Sequence, residues 1–404
     1  MKSSQPFRVR VFAFAAAALA ALLLFRLMRA PGTLGLLNWN PGYRTFIYVI
    51  LALGAVPFFL AVVYEILRAV PAFRARRGAG ILSMGVSAGF AAVSLAAFLF
   101  ISIAPNRVSR PVPSPGILDP ARGIAARPQS DKEPYLRLAF SSDAHWGRAE
   151  SDAEARTRIL RSVDAGGYDA FFFLGDISEM GFPEEGFREA ASDLERYLTR
   201  VPVRPILGNH DALVNASGRW TRYFFPAGHS SDSGSPFYYR IDAGRAHILV
   251  LNLLWGEEDF DHDQRVWLAA QLESIPRSDA VVVLSHCYFY ASGYDDPETG
   301  SPWYDHPGTI REVVPLLEKY GVDLAVSGHN HYQEYLEKDG VSYVVIGAMG
   351  GVPDPAPTYR SPASKWIRVS TFGFLEAEFY PDRIELTFRD AGGAELHRES
   401  VSAE

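Results

Sequence analysis

Hydrophobic positions along this 404-residue chain follow two regimes. In the first hundred residues they form long unbroken runs, and from Tyr135 onward they form short runs that each end in small, acidic or imidazole residues. Val11–Phe25 is fifteen residues without a charge, extendable to Met28 if Arg26 turns its head toward the interface. Phe46–Leu67 carries one charge, Glu65, near its end, and Ile81–Ile103 has none in twenty-three residues. A spanning helix needs about 20 predominantly apolar residues, so 46–67 and 81–103 are predicted to cross a membrane. Segment 11–28 reads either as a further crossing or as a cleaved signal with an Arg-bearing start and an Ala-rich centre. Residues 1–103 are therefore expected to be a membrane anchor with about three transmembrane helices. Residues 104–134 hold seven prolines and no hydrophobic period, which reads as a linker.

The remainder, 135–404, alternates strand-like and helix-like patterns. "YLRLAF" runs into "SSDAHWG", "DAFFFL" into "GDISE", "VPVRPIL" into "GNHD", "AVVVL" into "SHCY" and "VDLAV" into "SGHNH". Such short β-branched and aromatic runs predict buried strands. Ala153–Asp164, Pro183–Leu198, Asp263–Ser274 and Thr309–Tyr320 have helical spacing. Alternating strands and helices predict an α/β layered fold with ligand groups at the strand ends. "SPFYYRIDAGRAHILVLNL" instead predicts a hairpin, and "FGFLEAEFYPDRIELTFRDAGGAELHRESV" predicts closing antiparallel strands, so the sheets are expected to be mixed.

Charge sharpens this division. Residues 1–127 hold fourteen Lys/Arg against Glu65 and Asp119, a net of +12; the whole chain is −7, which leaves −19 for residues 128–404. So acidic a region is a poor binder of nucleic acid, which needs Lys/Arg patches to neutralise phosphates. Cys287 is the only cysteine, which excludes an intrachain disulfide framework and a zinc site built from several thiolates. Lys2, Arg8 and Arg10 precede the first apolar segment, and Arg68, Arg74, Arg76 and Arg77 lie between the second and third. Keeping both groups inside sends the chain out after the third segment; a cleaved first segment leads to the same side. The expected location is a multi-pass bacterial inner or plasma membrane protein with a periplasmic or extracellular catalytic domain. Arg107, Arg110 and Arg122 after the third segment weaken that asymmetry.

A single His or Asp at a strand end is more often a turn former than a ligand. Five successive strand ends supply Asp143, His145, Asp176, Asn209, His210, His286, His329 and His331. This oxygen and nitrogen set suits borderline divalent metals (Mn, Fe, Zn or Co) and exceeds what one catalytic zinc needs, so two metal ions are expected. Two divalent ions beside the anionic Asp143 and Asp176, with neutral Asn and His, leave a centre near +2. Such a centre attracts phosphoryl groups and acidifies bound water.

In this order, "DAH", "GDISE", "GNHD", "SH" and "GHNH" resemble the calcineurin-like metallophosphoesterases over roughly Tyr135–Gly351. The resemblance implies a four-layer α/β/β/α sandwich of mixed sheets. It implies that Asp143, His145 and His331 hold one metal, that Asn209, His286 and His329 hold the other, and that Asp176 bridges them. A hydroxide between the metals would attack phosphorus in line, with His210 as general acid oriented by Asp211. "SHCYFYASG" is similar to a stretch of the purple acid phosphatases. Those enzymes, however, have glycine at the position of His145 and a metal-binding tyrosine at that of Glu179, so a colourless protein is expected. Bacterial UDP-diacylglucosamine pyrophosphohydrolases often have Arg where this chain has His210.

Tyr288–Gly308 is long, aromatic and rich in turn residues, and it follows a ligand histidine. Tyr290, Tyr294, Trp303 and His306 are candidates to stack on a sugar, base or lipid headgroup, and Arg148 is a candidate to grip a phosphate oxygen. The expected function is a membrane-anchored phosphohydrolase of phosphate mono- or diesters, acting on a phosphorylated small molecule or lipid headgroup. A cytoplasm-facing pyrophosphohydrolase of UDP-linked or polyprenyl lipid precursors and a non-catalytic phosphate sensor are the alternatives.

Overall fold

A computed structural model describes residues 5–70, 77–109, 123–225, 231–297 and 300–403. The chain divides into two compact units, Met1–Arg107 and Val108–Glu404.

The first unit is built on helices Gln5–Met28, Pro41–Ala69 and Arg77–Ile103, with the short helix Thr33–Trp39 between the first two. Three stretches, Phe7–Met28, Pro41–Leu67 and Ile81–Asn106, are long and apolar enough to cross a membrane. The first, which by sequence reached only 11–28, gains a turn at its start. Large apolar side chains point outward, with Phe14 at 72% and Leu82 at 70% exposure, an arrangement stable against lipid rather than water. Arg10 and Glu65 pair across two of the helices at 2.9 Å. A pair offsets the cost that either charge alone would carry at membrane depth. Part of the Arg-rich connection between the second and third helices lies outside the described residues.

The second unit contains fifteen described strands. They are β1 (Leu136–Ser141), β2 (Ala170–Phe173), β3 (Val203–Pro205), β4 (Tyr239–Ala243), β5 (Ala246–Val250), β6 (Ala280–Leu284), β7 (Tyr294–Asp295) and β8 (Pro302–Trp303). There follow β9 (Leu324–Ser327), β10 (Gln333–Lys338), β11 (Val341–Ile346), β12 (Ser364–Arg368), β13 (Gly373–Phe379), β14 (Arg383–Asp390) and β15 (Glu395–Ser402). One sheet runs β15-β14-β13-β1-β2-β3 and the other β12-β10-β11-β9-β6-β5-β4. Each has a parallel part: β1-β2-β3 at one edge of the first sheet, joined through β1 to antiparallel β13, and β5-β6-β9-β11 in the middle of the second, with antiparallel strands on both sides. The expected mixed sheets, the 239–250 hairpin and the closing β13–β15 strands are all present.

The layering follows from strand alternation. In β5 and β6, Ile248, Val250, Val282 and Leu284 join one hydrophobic cluster, which also holds Leu138, Phe140 and Phe172 of the opposite sheet. Their neighbours Leu249, Val281 and Val283 join a second cluster with Leu268, Leu272, Val313 and Leu317 of the covering helices. Side chains of period two thus feed a core between the sheets and a core beneath the helices. The two mixed sheets flanked by helices make a calcineurin-like fold.

Local signals account for the helix ends. Asp152 caps Ala153–Ala165 by accepting the Ala155 N–H at 2.8 Å, and Asp261 caps His262–Ser274 in the same way. The helix expected over 309–320 is divided into Pro307–Glu312 and Val314–Tyr320, because Pro315 has no N–H to continue the ladder. Residues 110–122 of the expected linker lie outside the described residues, but its end is not linker-like. Ile124 is buried in the inter-sheet cluster, and Arg127 pairs with Asp169 at 2.9 Å.

Candidate metal centre

Five parallel strands end at one place. Asp143 and His145 follow β1, Asp176 follows β2, Asn209 and His210 follow β3, His286 follows β6, and His329 and His331 follow β9. The chain must turn sharply there to bring successive side chains inward. Asp143, His145, Asp176 and His329 accordingly sit in the left-handed region, at φ of 56°, 50°, 54° and 72°. Each such residue costs about 1–3 kcal/mol and persists only where its surroundings over-determine it. Backbone bonds from Asp143 to Gly175 and from Trp146 to Ile177 lock the loops after β1 and β2 together.

Three groups of donors result among the described residues. Asp143, His145 and His331 converge in one, Asp176, His286 and His329 in a second, and His145, Glu179 and His210 in a third that shares His145 with the first. In the first, His145 Nε2 and His331 Nε2 are 3.2 Å apart, and His331 Nε2 is 3.4 Å from Asp143 Oδ1. In the second, His286 Nε2 lies 3.1 Å from His329 Nδ1, 3.3 Å from Asp176 Oδ2 and 2.7 Å from Asn209 Oδ1. Asp176 Oδ2 also lies 3.8 Å from His145 Nε2, so this carboxylate borders both of these groups.

Hydrogen bonds on the far side of each ring settle which nitrogen faces inward. His145 Nδ1 meets Glu179 Oε2 at 2.7 Å, His286 Nδ1 meets the Leu174 carbonyl at 2.8 Å and His331 Nδ1 meets the Val352 carbonyl at 2.5 Å. These acceptors hold a proton on Nδ1 and leave the Nε2 lone pair directed into the site. Lone pairs facing one another repel unless a cation sits between them. Asp143 Oδ1, fully buried, accepts no hydrogen bond among the described residues. Facing imidazole lone pairs beside an orphaned buried carboxylate oxygen fit divalent cations.

The electrostatics agree. Burial works against charge on Asp143, yet His145 and His331 hold its carboxyl well below the usual range. Burial likewise opposes charge on His286 and His331, but Asp176 lifts the first to about 9 and Asp143 lifts the second to about 10. The carboxylates thus demand positive charge at the positions where cations would bind.

The remaining sequence expectations divide. His210 is at the edge of the site, with Nε2 4.0 Å from Asp176 Oδ2, and burial lowers its pKa. Asp211 does not orient it. The Asp211 carboxylate instead accepts the backbone N–H groups of Ile177, Ser178 and Gly208, which satisfies three amides. The His210 ring is held instead through Nδ1 by the Glu179 carbonyl at 2.7 Å. Arg148 approaches the site by pairing with Glu179 at 3.2 Å. Tyr294 reaches Asp354, which accepts the His331 N–H.

Two other candidate substrate contacts, Tyr290 and His306, engage neighbouring side chains and backbone. Tyr290 packs its ring 5.1 Å from Tyr343 in the outer cluster. His306 is buried and caps the helix Pro307–Glu312, its Nδ1 accepting the Thr309 N–H at 3.2 Å.

Glu179, Asp354 and Trp255 were not singled out as site residues from sequence. Glu179 lies three residues beyond Asp176 inside "GDISE", so its motif was a usable signal. Trp255, with its ring 5.9 Å from His329, follows the end of the parallel strand β5, where strand-end logic applied. Asp354 lies in no motif.

Comparisons with known proteins place this geometry in context. Residues 136–333 match a family model described as calcineurin-like phosphoesterase. Tartrate-resistant acid phosphatase type 5 of Oryctolagus cuniculus is 28% identical over 267 residues, 57% of this chain and 76% of its own. Purple acid phosphatase 18 of Arabidopsis thaliana is 26% identical over 243 residues, 54% of this chain and 52% of its own. Among solved structures, a purple acid phosphatase from seeds of yellow lupin (Lupinus luteus) superposes with a TM-score of 0.56 at 19% identity. That superposition covers 66% of this chain and 53% of that one.

Proposed function

Because the chain is a calcineurin-like metallophosphoesterase related to the purple acid phosphatases, we propose that it acts as a membrane-anchored phosphohydrolase with two divalent metal ions. Its substrates are phosphate mono- or diesters of a small molecule or lipid headgroup. Its catalytic domain, residues 135–404, lies outside the cytoplasm. One observation carries the reading: inward-facing imidazole nitrogens and two carboxylates gather into adjoining groups that share the border of Asp176.

Asp143, His145 and His331 would hold one ion, Asn209, His286 and His329 the other, with Asp176 between them. Bound there, two divalent ions would supply electrophilic activation of a phosphoryl group and an acidified water. The protein's own groups do the rest. Glu179, Leu174 and Val352 keep the Nδ1 protons of three ligand rings in place, so no ring must change tautomer during turnover. His210, fixed through Nδ1, presents Nε2 as the atom that delivers a proton to the leaving oxygen when the ring is charged. Arg148 is placed to bind a phosphoryl oxygen at the edge of the site while Glu179 holds its guanidinium.

The test uses the full chain purified in detergent and stripped by chelation. It should hydrolyse p-nitrophenyl phosphate or its bis-ester only after a divalent metal is restored, and the panel of metals identifies the preferred pair. Absence of hydrolysis with every metal, on both esters and on cyclic nucleotides, would turn the reading toward the non-catalytic sensor.

A further inference from the structure

The Gly328–His331 turn carries one proposed ligand for each ion, and within it the Asn330 N–H bonds the Gly328 carbonyl at 2.9 Å while the N–H groups of both histidines go to carboxylates outside it. His329 is held at φ 72°, a conformation that relaxes unless neighbouring groups restrain it. Asp143 restrains it from one side, its Oδ2 accepting the His329 N–H at 2.9 Å. The next inward residue, His331, has its N–H bound at 2.8 Å by Oδ2 of Asp354, a carboxylate outside all three donor groups. Asp354 is itself held, since its Oδ1 accepts the Tyr294 hydroxyl at 3.1 Å.

Tyr294 pairs directly with Trp303 in the small hairpin of β7 and β8. The Trp303 ring lies 4.8 Å from the His329 ring, tilted by 33°. One cross-strand pair therefore reaches both histidines of the turn. Tyr294 meets His331 through a carboxylate, and Trp303 meets His329 through ring contact.

We infer that Tyr294, Asp354 and Trp303 are positioning residues that hold His331 and His329 in their metal-binding orientations, Tyr294 and Asp354 toward one ion and Trp303 toward the other. The inference rests on the two-ion reading of the site. Tyr294 and Asp354 form a single chain of hydrogen bonds, so they act as one unit on the ion held by His331. Trp303 acts separately on the ion held by His329. Groups that orient a ligand from behind change metal affinity by about 10–100-fold when removed.

The experiment is a calorimetric titration of Mn(II) into the detergent-solubilised, metal-free full chain, with Zn(II) as a second probe. Tyr294→Phe, Asp354→Asn, their double variant and Trp303→Leu are compared with the wild type. Melting of each metal-free variant, followed by circular dichroism, reports folding. If Asp354→Asn fails to fold, Tyr294→Phe, which loses one hydroxyl, carries the test. Two binding events are expected in the wild type. Tyr294→Phe and Asp354→Asn should each weaken the same event about tenfold, and the double variant should add little to either. Trp303→Leu should weaken the other event. Two events of unchanged affinity in all variants would overturn the inference while leaving the two-ion reading intact. Fewer than two events in the wild type would overturn that reading, and the inference with it.

Discussion

His210 is tied to the site at both its backbone and its ring: its N–H donates to Asp176 Oδ1 at 2.8 Å, and its Nδ1 to the Glu179 carbonyl at 2.7 Å. Replacing the ring with alanine removes the second contact and leaves the first. His210→Ala is therefore expected to keep both metal-binding events and to lose turnover by about 10²–10⁴-fold, the range for a positioned proton donor. Unchanged kcat in metal-loaded protein would remove His210 from the proposed chemistry. Gly351 is the complementary case. A Cβ there would lie 2.7 Å from His145 Cδ2, 2.8 Å from the Asp143 carbonyl and 2.9 Å from His331 Cε1. Carbon atoms cannot approach so closely, so Gly351→Ala must push two proposed ligand rings away. Metal affinity should fall at least about tenfold by titration, and turnover with it.

At the scale of elements, the sheet that carries Asp143 and Asp176 is fastened by a buried cross-strand network. Glu376 on β13 accepts from Arg137 of β1 at 3.2 Å, from Arg389 of β14 at 2.8 Å and from the Tyr168 hydroxyl at 2.7 Å. Burial opposes its charge, but Tyr168 and the two arginines hold its carboxyl below the usual range. A carboxylate depressed in the folded state stabilises the protein above its unfolded pKa, here 4.5, and this contribution disappears as pH falls through the lower folded value. Glu376→Gln is expected to cost about 1–3 kcal/mol near pH 7, because Arg389 and Tyr168 lose a charged acceptor while Arg137 keeps Glu378 at 2.9 Å. The gap to wild type should narrow on acidification below about pH 4.5. Denaturant titrations at several pH values measure both effects, and a gap that is constant with pH would exclude this origin. The 309–320 region makes a different point. Its hydrophobic spacing is continuous, yet Pro315 breaks it into two short helices.

Across the whole molecule, the charge division between residues 1–127 and 128–404 bears on orientation. If Lys2, Arg8, Arg10 and the Arg68–Arg77 group stay in the cytoplasm, as the proposed orientation requires, three crossings would carry residues 128–404, at net −19, to the far side. An acidic domain is the easier one to keep off an anionic membrane surface. In a bacterial host, a C-terminal alkaline phosphatase fusion should be active and a C-terminal fluorescent-protein fusion dark. The reverse pair of results would move the catalytic domain to the cytoplasm and favour the pyrophosphohydrolase alternative.

Much of this molecule is legible in the order of its residues. Apolar runs over 46–67 and 81–103 identify two candidate membrane spans by length and composition, whereas 11–28 reads as a span or a signal until its helix is seen to begin earlier, with a candidate span of Phe7–Met28. Period-two and helical spacing locate the elements, and polar residues that recur just past strand ends mark Asp143, His145, Asp176, Asn209, His286, His329 and His331 together. These signals are local, so the backbone's own geometry makes them readable. Only the tertiary structure decides which groups meet across long separations. His145 and His331 are 186 residues apart, yet their nitrogens face each other at 3.2 Å. Asp211 serves three backbone amides rather than the adjacent His210, and His306 caps a helix through Nδ1. Asp354, 23 residues beyond His331, braces its backbone without any motif of its own. In each case a buried polar group takes the partner that packing leaves within reach, and that partner is set by how the two sheets come together.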